Sequence, residues 1–157
     1  MGSAENGNGD GKPETQFPPW IPIAQGEIGQ HEIRGGENPR IIAYHATTTL
    51  KATEDEVPWC SSFVNWCLTQ AGYKGTNSAW ARSWMGWGYA CLQEPGCVVV
   101  LQRGNNAQTG HVGFFMGQKL GGWVSVLGGN QGDRVCLASF PAEMVLGYRW
   151  PNGSVSP

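Results

Sequence analysis

Two features of the amino-acid sequence predict an α+β fold. Between residues 20 and 72 the apolar side chains recur at helical spacing, whereas from Cys97 onward short apolar or alternating runs are separated by Gly and Asn turns. Helices first and strands afterwards is the order in which helices pack on one side of an antiparallel sheet. A chain of 157 residues is long enough for one domain with a single substantial core. Residues 20–151 are expected to be that domain, between a flexible tail at 1–19 and a short C-terminal tail at 152–157.

Composition narrows the partners. Net charge is -2 and only 14% of residues are charged, so no basic surface advertises nucleic acid or an anionic membrane. No apolar run approaches the roughly 18 residues of a membrane-spanning helix. Met1 to Pro19 is rich in Gly, Asn, Glu and Pro without an apolar core, so it is expected to be a tail and not a secretory signal. The five cysteines (60, 67, 91, 97 and 136) contain no CxxC pair. They are read as free thiols of a protein made in the reducing cytoplasm, with no zinc site and no metal.

Taken in order, Trp20 to Ile28 places Trp20, Ile21, Ala24 and Ile28 at helical spacing and stops at Gly29. Asn38-Pro39 reads as an N-cap followed by proline at the first helical position, opening a helix with Ile41, Ile42 and His45. A loop from Thr47 to Val57 ends in the acidic run Glu54-Asp55-Glu56, a solvated turn or a contact for a substrate amine. Cys60, Phe63, Val64, Cys67, Leu68 and Ala71 then form the apolar stripe of an amphipathic helix that Pro58 precedes and Gly72 stops. Trp80, Trp84 and Trp87 form an aromatic stripe suited to core packing, or to stacking on sugar. Five strands are expected: Cys97–Leu101, His111–Met116, Trp123–Leu127, Arg134–Phe140 and Val145–Trp150.

Cys60 falls in the first turn of its helix, where free backbone N–H groups and the helix dipole favour a thiolate, the nucleophilic form of cysteine. His111 begins the second strand, with Gly113 leaving space on its face. If the two meet, the imidazole can activate the thiol and later protonate a leaving amine. A third polar group should hold the other imidazole nitrogen. Asn130, at the turn after the third strand, is the best-placed candidate, with Gln131 and Ser125 as weaker ones. The Cys60 backbone N–H can receive the oxyanion of a tetrahedral intermediate.

These pieces resemble the NlpC-type and CHAP-type cysteine hydrolases of bacterial cell walls, and within them a small bacterial and phage subfamily with the motif Pro-Trp-Cys-Ser-x-Phe-Val-Asn-Trp-Cys. The matching segments are Pro58–Cys67, Ala81-Arg82-Ser83-Trp84, Pro95-Gly96, Gly110-His111-Val112-Gly113-Phe114, Leu127-Gly128-Gly129-Asn130-Gln131 and Leu146-Gly147-Tyr148-Arg149. The resemblance implies a papain-like fold with the Cys-bearing helix against a five-stranded antiparallel sheet. It also implies hydrolysis of peptidoglycan amides by Cys60, His111 and Asn130 without a cofactor. Trp59, Ser61, Trp84 and Gln131 are the expected substrate contacts. Trp59 stands where the NlpC pattern has Asp, and Cys97 where the strand motif has Asp.

The implied activity is an endopeptidase or amidase acting on stem peptides. Without a secretory signal, such an enzyme reaches the cell wall as a phage-type lysin or an injected effector, and an effector requires a cognate immunity protein. Two other readings use the same fold: a non-catalytic wall-binding module, and a papain-like acyltransferase or deamidase acting on protein.

Overall fold

The computed structural model describes residues 17–49 and 58–153. The acidic run at 54–56 lies outside the described residues. Three α-helices come first: α1 (Trp20–Gln25), α2 (Pro39–His45) and α3 (Cys60–Gln70). A 3-10 helix (Ala81–Gly86) follows. Then come the strands β1 (Tyr89–Ala90), β2 (Val98–Gln102), β3 (Gly110–Lys119), β4 (Trp123–Gly128), β5 (Cys136–Pro141) and β6 (Val145–Trp150). They form one sheet in the order β1-β6-β2-β3-β4-β5, and every strand pairing in it is antiparallel. Among the described residues no helix is long and apolar enough to cross a membrane.

The sheet has six strands where five were expected. The additional one, β1, pairs Tyr89 with Trp150 and Ala90 with Arg149 at the sheet edge. Both its residues are exposed, so neither length nor apolar alternation marked it in the sequence. Arg134 makes only an isolated bridge to His31, and the fourth expected strand therefore begins at Cys136.

Two helix ends illustrate local chemistry. The Asn38 side chain accepts a hydrogen bond from Arg40 N at 2.8 Å, capping α2 as its sequence implied. By contrast, α1 ends at Gln25, and Ile28 lies beyond it with half its surface exposed, outside the apolar stripe assigned to it.

The expectation of a one-sided stripe also fails for α3, whose residues 60 to 68 are all buried. Its outer face is covered too, because each polar group there has an internal partner. Ser61 Oγ donates to Ser78 O (2.6 Å), and Ser62 Oγ lies 2.9 Å from His45 Nδ1. Asn65 Nδ2 donates to Ser78 O (3.1 Å), while Asn65 Oδ1 accepts from Asn77 N (2.9 Å). Hydrogen bonding is what allows Ser and Asn to be buried without a desolvation penalty. α3 is thus a central helix, enclosed by α1, α2, the 73–80 segment and the sheet.

The helices and the inner sheet face share one core, containing Trp20, Ile41, Tyr44, Phe63, Val64, Leu68, Val98, Val100, Val112, Phe114 and Leu127. The other sheet face carries a smaller cluster built on Cys97, Val99, Leu101, Phe115, Val124 and Val126. The alternation of Val112 and Phe114 against Phe115 follows the period of two along β3. In the 3-10 helix, three residues per turn align Ala81 with Trp84, and these are its two buried residues. Trp80 remains half exposed.

Candidate active site

Cys60 is the first residue of α3 and is 6% exposed. The first α-helical hydrogen bond runs from Phe63 N to Trp59 O (3.0 Å), so the helix itself does not use the N–H groups of Cys60, Ser61 and Ser62. His111 is the second residue of β3, paired with Leu101 of β2, and is 3% exposed.

The structure brings the thiol and this imidazole into contact, and each shifts the titration of the other. Burial alone opposes ionisation of Cys60. It is outweighed by the hydrogen bond and positive charge of His111, helped by the Val112 backbone N–H and by Arg103, and the thiol pKa falls below its ordinary value. Burial likewise opposes a charged imidazole at His111. Its hydrogen bond and attraction to Cys60, with the contact from Gln131, prevail against Arg103 and raise its pKa. The two shifts are two sides of one coupling, in which each group favours the charged form of the other.

The other edge of the ring is held by Gln131. His111 Nε2 lies 2.8 Å from Gln131 Oε1, and the Gln131 amide nitrogen donates to Cys136 O (2.7 Å) and Val126 O (3.3 Å). Those two carbonyls fix which end of the amide faces the ring, so Oε1 accepts and Nε2 of His111 carries the proton. Nδ1 has no hydrogen-bond partner among the described residues, and it is the ring nitrogen that remains to face the Cys60 thiol. Phe140 covers the imidazole, with ring centroids 5.3 Å apart.

The orienting contact therefore comes from Gln131 and not from Asn130, the stronger of the two expectations. Asn130 occupies the left-handed region (φ 58°), a conformation Asn tolerates, and its side chain makes no hydrogen bond among the described residues. β4 leaves the sheet at Gly128, and the chain folds back so that the residue after Asn130 meets the ring. Sequence alone cannot phase an irregular turn, and both residues lie in the same Gly-Gly-Asn-Gln-Gly segment. Two glycines make this return possible. A Cβ at Gly128 would sit 2.6 Å from Gln131 Oε1, and one at Gly129 would sit 2.7 Å from the Trp59 ring. At Gly113 the space goes to the neighbouring strand, since a Cβ there would meet Val126 Cγ1 at 2.5 Å, and not to the imidazole as expected.

Three of the four expected substrate contacts are corrected by burial. Trp59 is fully buried and donates from Nε1 to Glu32 Oε2 (2.7 Å). Trp84 is fully buried, and its Nε1 donates to Ser61 Oγ (2.8 Å), which is buried as well. These side chains fix the start of α3 from behind and have no surface to offer a substrate. Gln131, the fourth, is engaged with His111 as described.

In front of His111 lies a cleft of about 360 Å³, lined among others by Arg103, Asn130, Gln131, Ser139 and Phe140. Neither Arg103 nor Phe140 was anticipated. Phe140 follows from its place on β5, but nothing in the sequence around Arg103 signalled a role. Among the described residues, no group of three or more His, Cys, Asp or Glu side chains converges as a metal site would require. All five cysteines are unbridged.

This arrangement, a cysteine at a helix N-terminus opposite a histidine at a strand start, sits on an α+β frame of the papain-like kind. The chain belongs to the CHAP domain family, whose profile matches residues 52–130, half of its length, including both Cys60 and His111. CHAP domains are typically hydrolase domains acting on peptidoglycan, which places this protein among enzymes of that general type. No curated protein sequence resembles it closely enough to match.

Proposed function

We propose that the protein is a peptidoglycan hydrolase that cleaves an amide of the stem peptide through a Cys60–His111 dyad oriented by Gln131. The observation that carries this reading is the opposite displacement of the two titrations, the thiol downward and the imidazole upward, in one buried contact. Perturbed pairs of this kind are how a fold prepares a nucleophile at neutral pH.

The Cys60 thiolate attacks the scissile carbonyl carbon, and the carbonyl oxygen takes the negative charge. The N–H groups at the start of α3 face that oxygen, supported by the helix dipole. The tetrahedral intermediate collapses as His111 Nδ1 gives its proton to the departing amine nitrogen, leaving a thioester on Cys60. Water, losing a proton to the same nitrogen, attacks the thioester carbonyl and releases the acid and the thiolate. Through both steps Gln131 Oε1 keeps Nε2–H occupied, so the ring presents the same edge to the reaction.

The burial of Trp59 and Trp84 removes these two rings, though not the partly exposed Trp80, Tyr89 and Trp123, from the surface that a wall-binding module of the same fold would offer a glycan. The enzyme would act on the cell wall, and a form used as an injected effector would be paired with an immunity protein. Digestion of purified peptidoglycan, with mass spectrometry of the fragments, tests the activity. Wild type is expected to release new muropeptides and Cys60→Ala none. Equal digestion by a folded Cys60→Ala protein would exclude the mechanism.

A further inference from the structure

We infer that Arg103 anchors a carboxylate on the amine side of the scissile bond, so that the substrate is an amide whose departing amine belongs to a residue bearing a free carboxylate. This rests on the hydrolase reading above and adds a specificity to it.

The cleft in front of the dyad is lined by His111 but not by Cys60. Because His111 must protonate the leaving nitrogen, the half of the substrate that departs as an amine lies on the imidazole's side, in this cleft. Among the described residues Arg103 is, apart from His111, its only charged lining residue; the others that can hydrogen-bond, Asn130, Gln131 and Ser139, are neutral. Among the described residues the Arg103 side chain has no hydrogen bond or ion pair, and none of those that line the cleft is acidic. Its charge is nonetheless felt by both members of the dyad.

The position is also prepared. Arg103 directly follows β2, whose Leu101 and Gln102 pair with His111 and Gly110, so the strand register places it beside the histidine. The loop behind it is fastened at several points. Thr109 Oγ1 donates to Arg103 O (2.8 Å), Arg82 Nη2 to Asn106 O (3.2 Å) and Trp80 Nε1 to Gln108 O (2.7 Å). These bonds fix the backbone from which the exposed Arg103 side chain extends, and its guanidinium can offer a carboxylate two parallel N–H donors. A neutral carboxamide in the same place returns one acceptor and no charge.

The consequence separates the two kinds of amide in a stem. Where two stem residues are joined, or where a crosslink joins two stems, the released residue can keep a free carboxylate next to its amine. The alanine attached to the sugar's lactyl group has none while the stem continues beyond it. Arg103 therefore directs the enzyme toward a peptide–peptide bond and makes it an endopeptidase.

The test uses the full chain and synthetic stem peptides, in pairs differing only in whether the carboxylate beside the released amine is free or amidated. Wild type is expected to prefer the free carboxylate by about tenfold or more in kcat/KM, mainly through KM. In Arg103→Gln that ratio should fall toward one, and Arg103→Lys should restore part of it, having charge without the fork. An effect of Arg103 on the dyad alone would alter both substrates equally and leave the ratio intact. Such a result, equal cleavage of both peptides by wild type, or peptidoglycan cut at the lactyl–alanine bond, overturns the inference while leaving the hydrolase in place. Absence of any cleavage by wild type overturns both.

Discussion

Cys60 and Cys67 lie on one face of one helix, two turns apart, and both are buried, yet their thiols titrate in opposite directions. Burial raises both. At Cys67 nothing reverses it, and the buried Glu27 carboxylate pushes the same way, so the thiol stays well above its ordinary range. That carboxylate accepts from Tyr44 (2.6 Å) and pairs with Arg40 (3.2 Å), part of a polar arrangement at the back of α3. At Cys60 the imidazole of His111 overcomes the same burial. Helix position and packing make a cysteine available, but its neighbour decides whether it is a nucleophile or a small core residue.

The largest way to break the comparison is to remove one of its members. Cys60→Ala should lower kcat by on the order of 10⁶, the scale of losing the nucleophile from a catalytic unit. Cys67→Ala should leave activity near wild type and cost about 1 to 2 kcal/mol in a denaturant titration, as a small cavity does. If the two variants lost activity equally, the distinction between the cysteines would be lost with it.

Next in size is the histidine. His111→Ala removes the group that holds the thiolate, so the Cys60 thiol should titrate at higher pH in addition to losing its proton donor. The pH profile of wild type has a definite sign. The reactive pair exists above the lowered Cys60 pKa and below the raised His111 pKa, and kcat/KM should form a bell between those limits. Gln131 contributes to the raised His111 value, so Gln131→Ala should draw the alkaline limb to lower pH and reduce kcat by roughly ten- to a hundredfold, less than a general base itself. Asn130→Ala, one position away, should alter neither limb.

The smallest effect on activity concerns the support behind Cys60. Trp59→Phe keeps an aromatic ring but a smaller one, removing the bond to Glu32 Oε2 and leaving a small cavity, and should cost about 2 to 4 kcal/mol of stability with the alkylation rate of Cys60 little changed. Thermal unfolding and thiol labelling, measured together, check both parts.

How much of this was legible in the sequence depends on how regular each element is. The Cys60 helix, the Asn38 cap and the central strands followed from periodicity and capping, because side-chain spacing reports regular backbone directly. The Cys60–His111 meeting was anticipated from a helix start and a strand start, though only the fold brings them together. What escaped was irregular or internally satisfied. The edge strand Tyr89–Ala90 carries no alternation, and the turn after β4 could not be phased to choose Gln131 over Asn130. Trp59 and Ser61 looked like substrate contacts because they flank the nucleophile, and Trp84 because its aromatic stripe could stack on sugar. Hydrogen bonds to partners 23 or more positions away, such as Trp84 to Ser61, turn them inward instead, and no local pattern encodes such bonds.

The central claim is that His111 holds Cys60 as a thiolate, and site-resolved alkylation as a function of pH measures this directly. Each of the five cysteines is followed by mass spectrometry, in wild type and in His111→Ala. The account predicts that Cys60 reacts fastest near neutral pH, with a midpoint below that of an ordinary thiol that moves upward in His111→Ala, while Cys67 stays unreactive in the folded protein. A Cys60 midpoint in the ordinary thiol range, unmoved by His111→Ala, would contradict it.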